Sequence, residues 1–177
     1  RSSDLRLKKL TEDLIEASKA STGNIAVEFG SIDIREILEQ SLAEYSERFR
    51  EKNLDVITVL TQGDLIARAD GTLLWRVLNN IYSNIVKYAM ESTRVYINGM
   101  EQDGEIIVSI KNISASQLNI SAGELLERFV RGDESRHTEG SGLGLNIAQS
   151  LMEIQGGSLN LGIDGDLFKV ELVLRAA

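Results

Sequence analysis

The chain of 177 residues has no cysteine, no proline and one histidine, His137. Without cysteine there is no disulfide framework, no thiolate metal site and no thiol nucleophile. A lone histidine excludes His-rich metal sites and leaves few routes to His-based catalysis. Basic residues are also scarce: 19 Lys+Arg stand against 27 Asp+Glu, a formal net charge of −8. A general nucleic-acid binder needs a basic face to replace the counterions of phosphate, so no nucleic-acid partner is expected. No window approaches the ~18 consecutive apolar residues of a membrane span. The opening Arg-Ser-Ser-Asp-Leu-Arg-Leu-Lys-Lys-Leu is too polar for a signal peptide and lacks an initiator Met, so a fragment of a longer protein is expected. Usage near ~5% would give about nine prolines; their absence has no physical account here. What is present suits one folded domain with an appended element: 42% of residues are hydrophobic, enough for a core.

Apolar residues Leu7, Leu10, Leu14 and Ala17 recur at helical spacing and predict a helix over 4–20, with Lys8, Lys9, Glu12, Asp13 and Glu16 on the other face. The stripe is narrow, like a bundle seam, and Gly23 is a candidate left-handed cap. Ile25, Val27 and Phe29 alternate and predict a short strand. Asp33 with Glu36 resembles a capping box ahead of a helix carrying Leu38, Leu42, Tyr45 and Phe49. Strands are expected at 55–60 and 65–69. A long helix from about Thr72 to Met90, capped by Asp70, bears Leu74, Val77, Leu78, Ile81, Ile85 and Tyr88; Trp75 lies off that stripe or at its edge. Strands at 93–100 and 105–111 flank Asp103-Gly104, a hairpin signal. Residues 112–141 read as irregular, helix returns at about 143–154 and ends at Gly156-Gly157, and strands at 158–163 and 167–174 flank Asp164-Gly165. The order predicts an α/β (α+β) two-layer sandwich with a largely antiparallel sheet.

Three segments carry candidate chemistry. Gly140-Ser141-Gly142-Leu143-Gly144-Leu145 opens a helix, where free N–H groups and the positive dipole end suit phosphate. The bland alternative is a glycine-rich turn. A P-loop would need Lys-Ser/Thr after the last glycine, which Leu145-Asn146 does not supply. Second, Asn80, Asn84 and Lys87 share one face of the long helix, with Tyr88 following. Two amide oxygens one turn apart suit a hard cation such as Mg²⁺; on spacing alone, a solvated polar face is the default. Third, the run Leu126 to Arg136 holds Arg128, Arg131 and Arg136 just before the glycine helix, where an arginine can clamp a terminal phosphate. Arg128 reads as an ordinary surface residue.

Together these segments resemble the catalytic ATP-binding domain of bacterial sensor histidine kinases, of the gyrase/Hsp90/histidine-kinase/MutL ATPase superfamily. Leu78 to Tyr88 is similar to its N box, Leu126 to Arg136 to its F box and lid start, Gly140 to Leu145 to its G2 box, and Gln155-Gly156-Gly157 to its helix-end signature. Gly165 to Phe168 matches its last hairpin. The resemblance implies the Bergerat type of sandwich, its mixed sheet covered by helices on one face. It implies ATP and Mg²⁺ as cofactors, with Asn84 and Asn80 holding the metal. Lys87 and Tyr88 would lie near phosphates and sugar, Phe129 would anchor the lid (about 130–141), and Arg131 and Arg136 would approach the γ-phosphate. Gly140, Gly142, Leu143, Gly144 and Leu145 would cradle phosphates. Residues 1–23 would be the end of the second dimerisation and phosphoacceptor helix, and 24–177 the ATP-binding domain.

Two departures qualify the resemblance. The family's G1 box, Asp-x-Gly-x-Gly, is here Asn112-Ile113-Ser114-Ala115-Ser116. Asn112 keeps a carbonyl that can accept from the adenine amine. Leu126 stands at the usual first F-box Phe. The implied function is transfer of the ATP γ-phosphate to a histidine on an absent dimerisation helix, then to a response regulator. His137 lies in the lid segment and has no such role. The alternative is a pseudokinase, a regulatory module whose degenerate G1 box has lost nucleotide. The fragment is expected to be monomeric, the full-length protein a homodimer, and the domain cytoplasmic in a membrane-anchored protein.

Overall fold

The computed structural model describes residues 2–117 and 144–177. Helix α1 (Ser2–Thr22) is followed by β1 (Gly30–Asp33), α2 (Ile34–Glu51), β2 (Asp55–Leu60), β3 (Ile66–Ala69), α3 (Gly71–Tyr88), β4 (Arg94–Gln102) and β5 (Glu105–Ile113). The order continues with α4 (Gly144–Ile154), β6 (Ser158–Asp164) and β7 (Leu167–Arg175). The main sheet has the order β2-β4-β5-β7-β6, and β1 pairs with β3 in a separate ribbon. Only the β2–β4 pairing is parallel; the other pairings of the main sheet are antiparallel.

Alternation along the strands sets the layers. Val95 and Ile97 of β4, Ile106, Val108 and Ile110 of β5, and Phe168, Val170, Leu172 and Leu174 of β7 are buried. Their neighbours Tyr96, Ile107, Ser109, Lys111, Lys169 and Glu171 stay partly exposed. One sheet face is therefore the core face, and buried stripes of α2, α3 and α4 join it in one cluster. This is the two-layer mixed sandwich that the sequence predicts.

Local chemistry fixes the element ends. Asp33 accepts from the Glu36 N–H at the start of α2, as its capping-box spacing requires. Gly23, at φ +71°, ends α1, and the Asn24 N–H bonds back to the Lys19 carbonyl. Asp103 and Gly104, both at positive φ, make the two-residue turn of the β4–β5 hairpin. Gly156, at φ +77°, closes α4, with Gly156 and Gly157 N–H groups bonding to Glu153 and Met152. A β-carbon at Gly157 would sit 2.4 Å from the Val173 carbonyl oxygen, so the chain passes too close to β7 for any side chain.

Several expectations are corrected. Residues 25–29 form no strand; the strand is β1, at 30–33. Ile25 does pack on the core, but the Glu28 N–H bonds to the Asp70 carboxylate instead of a neighbouring strand. Helix α3 stops at Tyr88, short of Met90. The last hairpin turns at Gly165-Asp166, because Asp164 still pairs with Leu167. The helix-1 stripe is rotated: Leu7 and Leu14 are exposed, while Leu10 and Ala17 pack on the core and Asp13 is buried at 3% exposure. The reason is an ion pair. Arg76 of α3 donates to both Glu16 oxygens and to Asp13 Oδ1, and Lys9 pairs with Asp13 from the same helix. Burial alone would lower the Arg76 guanidinium, but bonding to Glu16 and the charges of Glu16 and Asp13 outweigh it and raise its pKa. The face of α1 toward the domain is thus chosen by charge.

Tyr45, Phe49 and Tyr82 form a ring cluster between α2 and α3, with centroids 5.4 to 6.0 Å apart. Ser41 spends its one proton on the Leu38 carbonyl, so the Tyr82 hydroxyl donates to Ser41 Oγ at 3.0 Å. Burial pushes the Tyr82 phenol well above its ordinary range. A raised folded-state pKa makes a contribution that is complete below the ordinary tyrosine value of about 10 and is lost as pH rises beyond it. Tyr82→Phe should cost about 1 kcal/mol at neutral pH, the worth of one hydrogen bond. It should also unfold less steeply than wild type as pH climbs above about 10. Urea unfolding across a pH series checks this; identical alkaline slopes would refute it.

Candidate nucleotide site

The candidate residues on described elements converge around α3. Its start is built by Asp70, 7% exposed, whose Oδ1 accepts from the Thr72 and Leu73 N–H groups. Its Oδ2 accepts from Glu28, and its own N–H donates to the side-chain oxygen of buried Gln155 at 2.9 Å. Gln155 in turn donates to the Leu151 carbonyl of α4. One cap therefore joins the N-terminus of α3 to the C-terminal end of α4 and to the segment before β1.

One turn beyond Arg76, Asn80 faces the beginning of α4. A β-carbon at Gly144 would lie 3.8 Å from the Asn80 Cβ, at ordinary contact distance, so the two helices meet there. The Asn80 Nδ2 is buried with no hydrogen-bond partner among the described residues. Asn84 and Lys87 continue this face and are half-buried, while Leu145 is fully buried beneath the start of α4. Asn80, Asn84, Gly144 and Leu145 are thus on adjoining elements.

Asn112 lies on the sheet, near the strand end that is bonded to the C-terminal end of α3. It follows Ile106, Val108 and Ile110 on the core face of β5, stands opposite Phe168 in register, and is 3% exposed. The end of β5 is stitched to the end of α3: Ala115 N–H donates to the Tyr88 carbonyl and Met90 N–H to the Ile113 carbonyl. Tyr88, half-buried, packs against the core there. A polar residue at a core position of a central strand breaks the apolar alternation, and that break is the sequence signal for Asn112.

Phe129, Arg131, Arg136, Gly140, Gly142 and Leu143, with the whole lid segment, lie outside the described residues. Among the described residues no cluster of three or more His, Asp or Glu side chains could hold a metal. Asn80 and Asn84 each offer one side-chain oxygen of the kind a hard cation takes, whereas the unsatisfied Asn80 Nδ2 is a hydrogen-bond donor and calls for an acceptor, not a metal.

Residues 69–175 match the family of histidine kinase-, DNA gyrase B- and HSP90-like ATPases. The chain belongs to this family. It is 31% identical over 174 residues to the probable sensor protein PcoS of Escherichia coli, covering 96% of this chain and 36% of PcoS. It spans about a third of that relative's length. Among solved structures, full-length ShkA in complex with AMPPNP superposes with a TM-score of 0.81 at 23% identity, covering 97% of this chain and 36% of that one. Histidine kinase ThkA in complex with the response regulator protein TrrA gives a TM-score of 0.76 at 20% identity, covering 99% and 48%. At those identities the likeness is one of fold. ATP binding follows from the family, and among the described residues no helix is long and apolar enough to cross a membrane.

The Asp70 cap can be tested directly. Asp70→Ala removes the α3 cap and strands the Glu28 N–H, and should cost about 2 kcal/mol. Asp70→Asn keeps one side-chain oxygen for Thr72 and Leu73 and should cost less. Chemical denaturation of both variants measures the difference; equal stabilities for Asp70→Ala and wild type would exclude this role.

Proposed function

We propose that the chain is the ATP-binding catalytic part of a two-component sensor histidine kinase, which presents the γ-phosphate of ATP to a histidine on a dimerisation helix for relay to a response regulator. The observation that supports this reading is the approach of Asn80 to Gly144 at the start of α4, with Asn84 one turn further along the same helix and a buried Asn112 at the end of β5, which is bonded to the end of α3. In this reading residues 24–177 form the ATP-binding domain, with a lid at about 130–141. Residues 1–23 are the end of the second dimerisation helix. The fragment alone is monomeric, the full-length protein a membrane-anchored homodimer, and this part cytoplasmic.

Phosphoryl transfer to a histidine needs no enzyme nucleophile; it needs positioning and charge compensation. Asn84 and Asn80 would hold Mg²⁺, which when bound offsets phosphate charge. Lys87 would lie by the phosphates and Tyr88 by the sugar. Gly140, Gly142 and Leu143, together with Gly144 and Leu145 at the start of α4, would offer their backbone N–H groups to phosphate oxygens. Arg131 and Arg136 would meet the γ-phosphate and Phe129 would anchor the lid. Asn112 would accept from the adenine amine through its Oδ1 and donate to a ring nitrogen, in place of the family's aspartate.

Calorimetry with Mg-ATP tests the site. Wild type should bind saturably. Asn84→Ala should lose at least tenfold in affinity, about 1.4 kcal/mol, and Asn112→Ala should weaken binding while Asn112→Asp restores or improves it. Wild-type binding unaltered in Asn84→Ala would refute the metal assignment. A second assay separates kinase from pseudokinase: the missing phosphoacceptor helix, supplied in trans with labelled ATP, should become phosphorylated on histidine. ATP binding without any transfer, under conditions where the helices associate, would favour a regulatory module.

A further inference from the structure

Helix α3 ends without a cap of its own making. Its C-cap Ala89 is extended, at φ −69° and ψ 143°, so no left-handed glycine folds the chain back over the exposed carbonyls. The half-buried Lys52, at the C-cap of α2, supplies what is missing. Its Nζ donates to the Val86 carbonyl at 2.8 Å and to the Ala89 carbonyl at 2.7 Å. Those two acceptors bracket Lys87 and Tyr88. The backbone around Lys52 is itself held, since the Ser92 N–H bonds to the Lys52 carbonyl and the Asn53 side chain bonds to Ser92 Oγ. Burial lowers the Lys52 ammonium below its ordinary pKa, only partly offset by Glu91. An ammonium taken partly out of water is retained here by two carbonyls and by the negative dipole end of the helix.

We propose that Lys52 is a positioning residue of the nucleotide site: by bridging Val86 and Ala89 it fixes the last turn of α3 and with it the Lys87 and Tyr88 side chains. It touches no ligand and acts only through that turn. The Ala115-to-Tyr88 bond holds the same turn from the sheet side, so the position of Tyr88 relative to Asn112 depends on both clamps. The proposal rests on the nucleotide reading above.

Three variants of the 177-residue chain test it: Lys52→Met, which keeps the apolar stem but donates nothing; Lys52→Arg, which can still donate to two carbonyls; and Tyr82→Phe, a core change one turn earlier on α3 that leaves the Lys52 bridge in place. Two measurements are made on each, Mg-ATP affinity by calorimetry and amide hydrogen exchange at Tyr88, Ala89 and Met90. Lys52→Met should bind Mg-ATP about tenfold more weakly (~1.4 kcal/mol) and exchange faster at those amides, with protection in β5 and β7 unchanged. Lys52→Arg should recover most of the affinity, and Tyr82→Phe should bind as wild type does. Wild-type affinity in Lys52→Met overturns the proposal, as does an equal loss in Tyr82→Phe, which would mark a general stability effect. Wild type that binds no ATP overturns the nucleotide reading and this proposal with it, whereas wild-type binding indifferent to Lys52→Met overturns this one alone.

Discussion

An α-helix leaves its first N–H groups and last carbonyls without intrahelical partners, and in this domain side chains meet both ends of α3, a local one at the start and a distant one at the end. Asp70 caps the start while also binding Glu28 and Gln155, and Lys52 with Ala115 holds the end. The remaining architecture hangs on this helix. Its buried stripe meets α2 and the sheet in one core, Arg76 on its flank fixes the rotation of α1, and Asn80 sets the approach of α4. Because every clamp joins α3 to a different element, the site geometry is a property of the whole domain.

The two helix ends differ in chemistry, and the difference follows from sequence. At the start, a short carboxylate can cap from its own position, so Asp70 announces itself to a reader of the chain. At the far end, Tyr88-Ala-Met-Glu offers no glycine, asparagine or proline to stop a helix. Expecting the helix to run on to Met90 is the natural outcome. It stops two residues earlier because Ala89 bridges to Ser114 of the sheet edge and its carbonyl turns to Lys52, more than thirty residues upstream. Long-range capping of this kind has no local signature.

The same division governs what else was legible. A stripe at helical spacing identified α2 and α3, because burial on one face writes itself into the residue pattern. Asp103-Gly104 gave the hairpin turn, since only certain residues accept two successive positive φ values. The failures came where apolar periodicity was not the deciding force. Residues 25–29 alternate, yet their backbone serves a side-chain carboxylate. In α1 half of the predicted stripe, Leu10 and Ala17, packs on the core, while Leu7 and Leu14 stay exposed and Asp13 is buried, beside the guanidinium of Arg76 that Asp13 and Glu16 bind. For the site, spacing put Asn80, Asn84 and Lys87 on one face but left a solvated surface as the default; the orphaned Asn80 amide and its closeness to Gly144 are facts only of the folded chain.

Electrostatics gives the proposed site its internal logic. A chain of net charge −8 must bind a polyanion, so positive potential has to be local. Two nearby cations are already engaged, Arg76 by Glu16 and Asp13 and Lys52 by backbone carbonyls. Under those constraints, the proposed amide ligands would hold a metal without adding to the negative charge that carboxylates would bring. Asn80 and Asn84 offer oxygens without adding negative charge, leaving the whole charge of a bound divalent cation to face phosphate. The departure at Asn112 follows the same direction, since an amide there removes one more carboxylate from the surroundings of a polyanion. What it gives up is the stronger charged acceptor for an adenine amine, which is worth most in a buried position such as this one. In the proposed site, affinity for the base and tolerance of the phosphates would therefore be traded against each other at a single residue, and replacing Asn112 by aspartate is the change that measures which of the two governs binding.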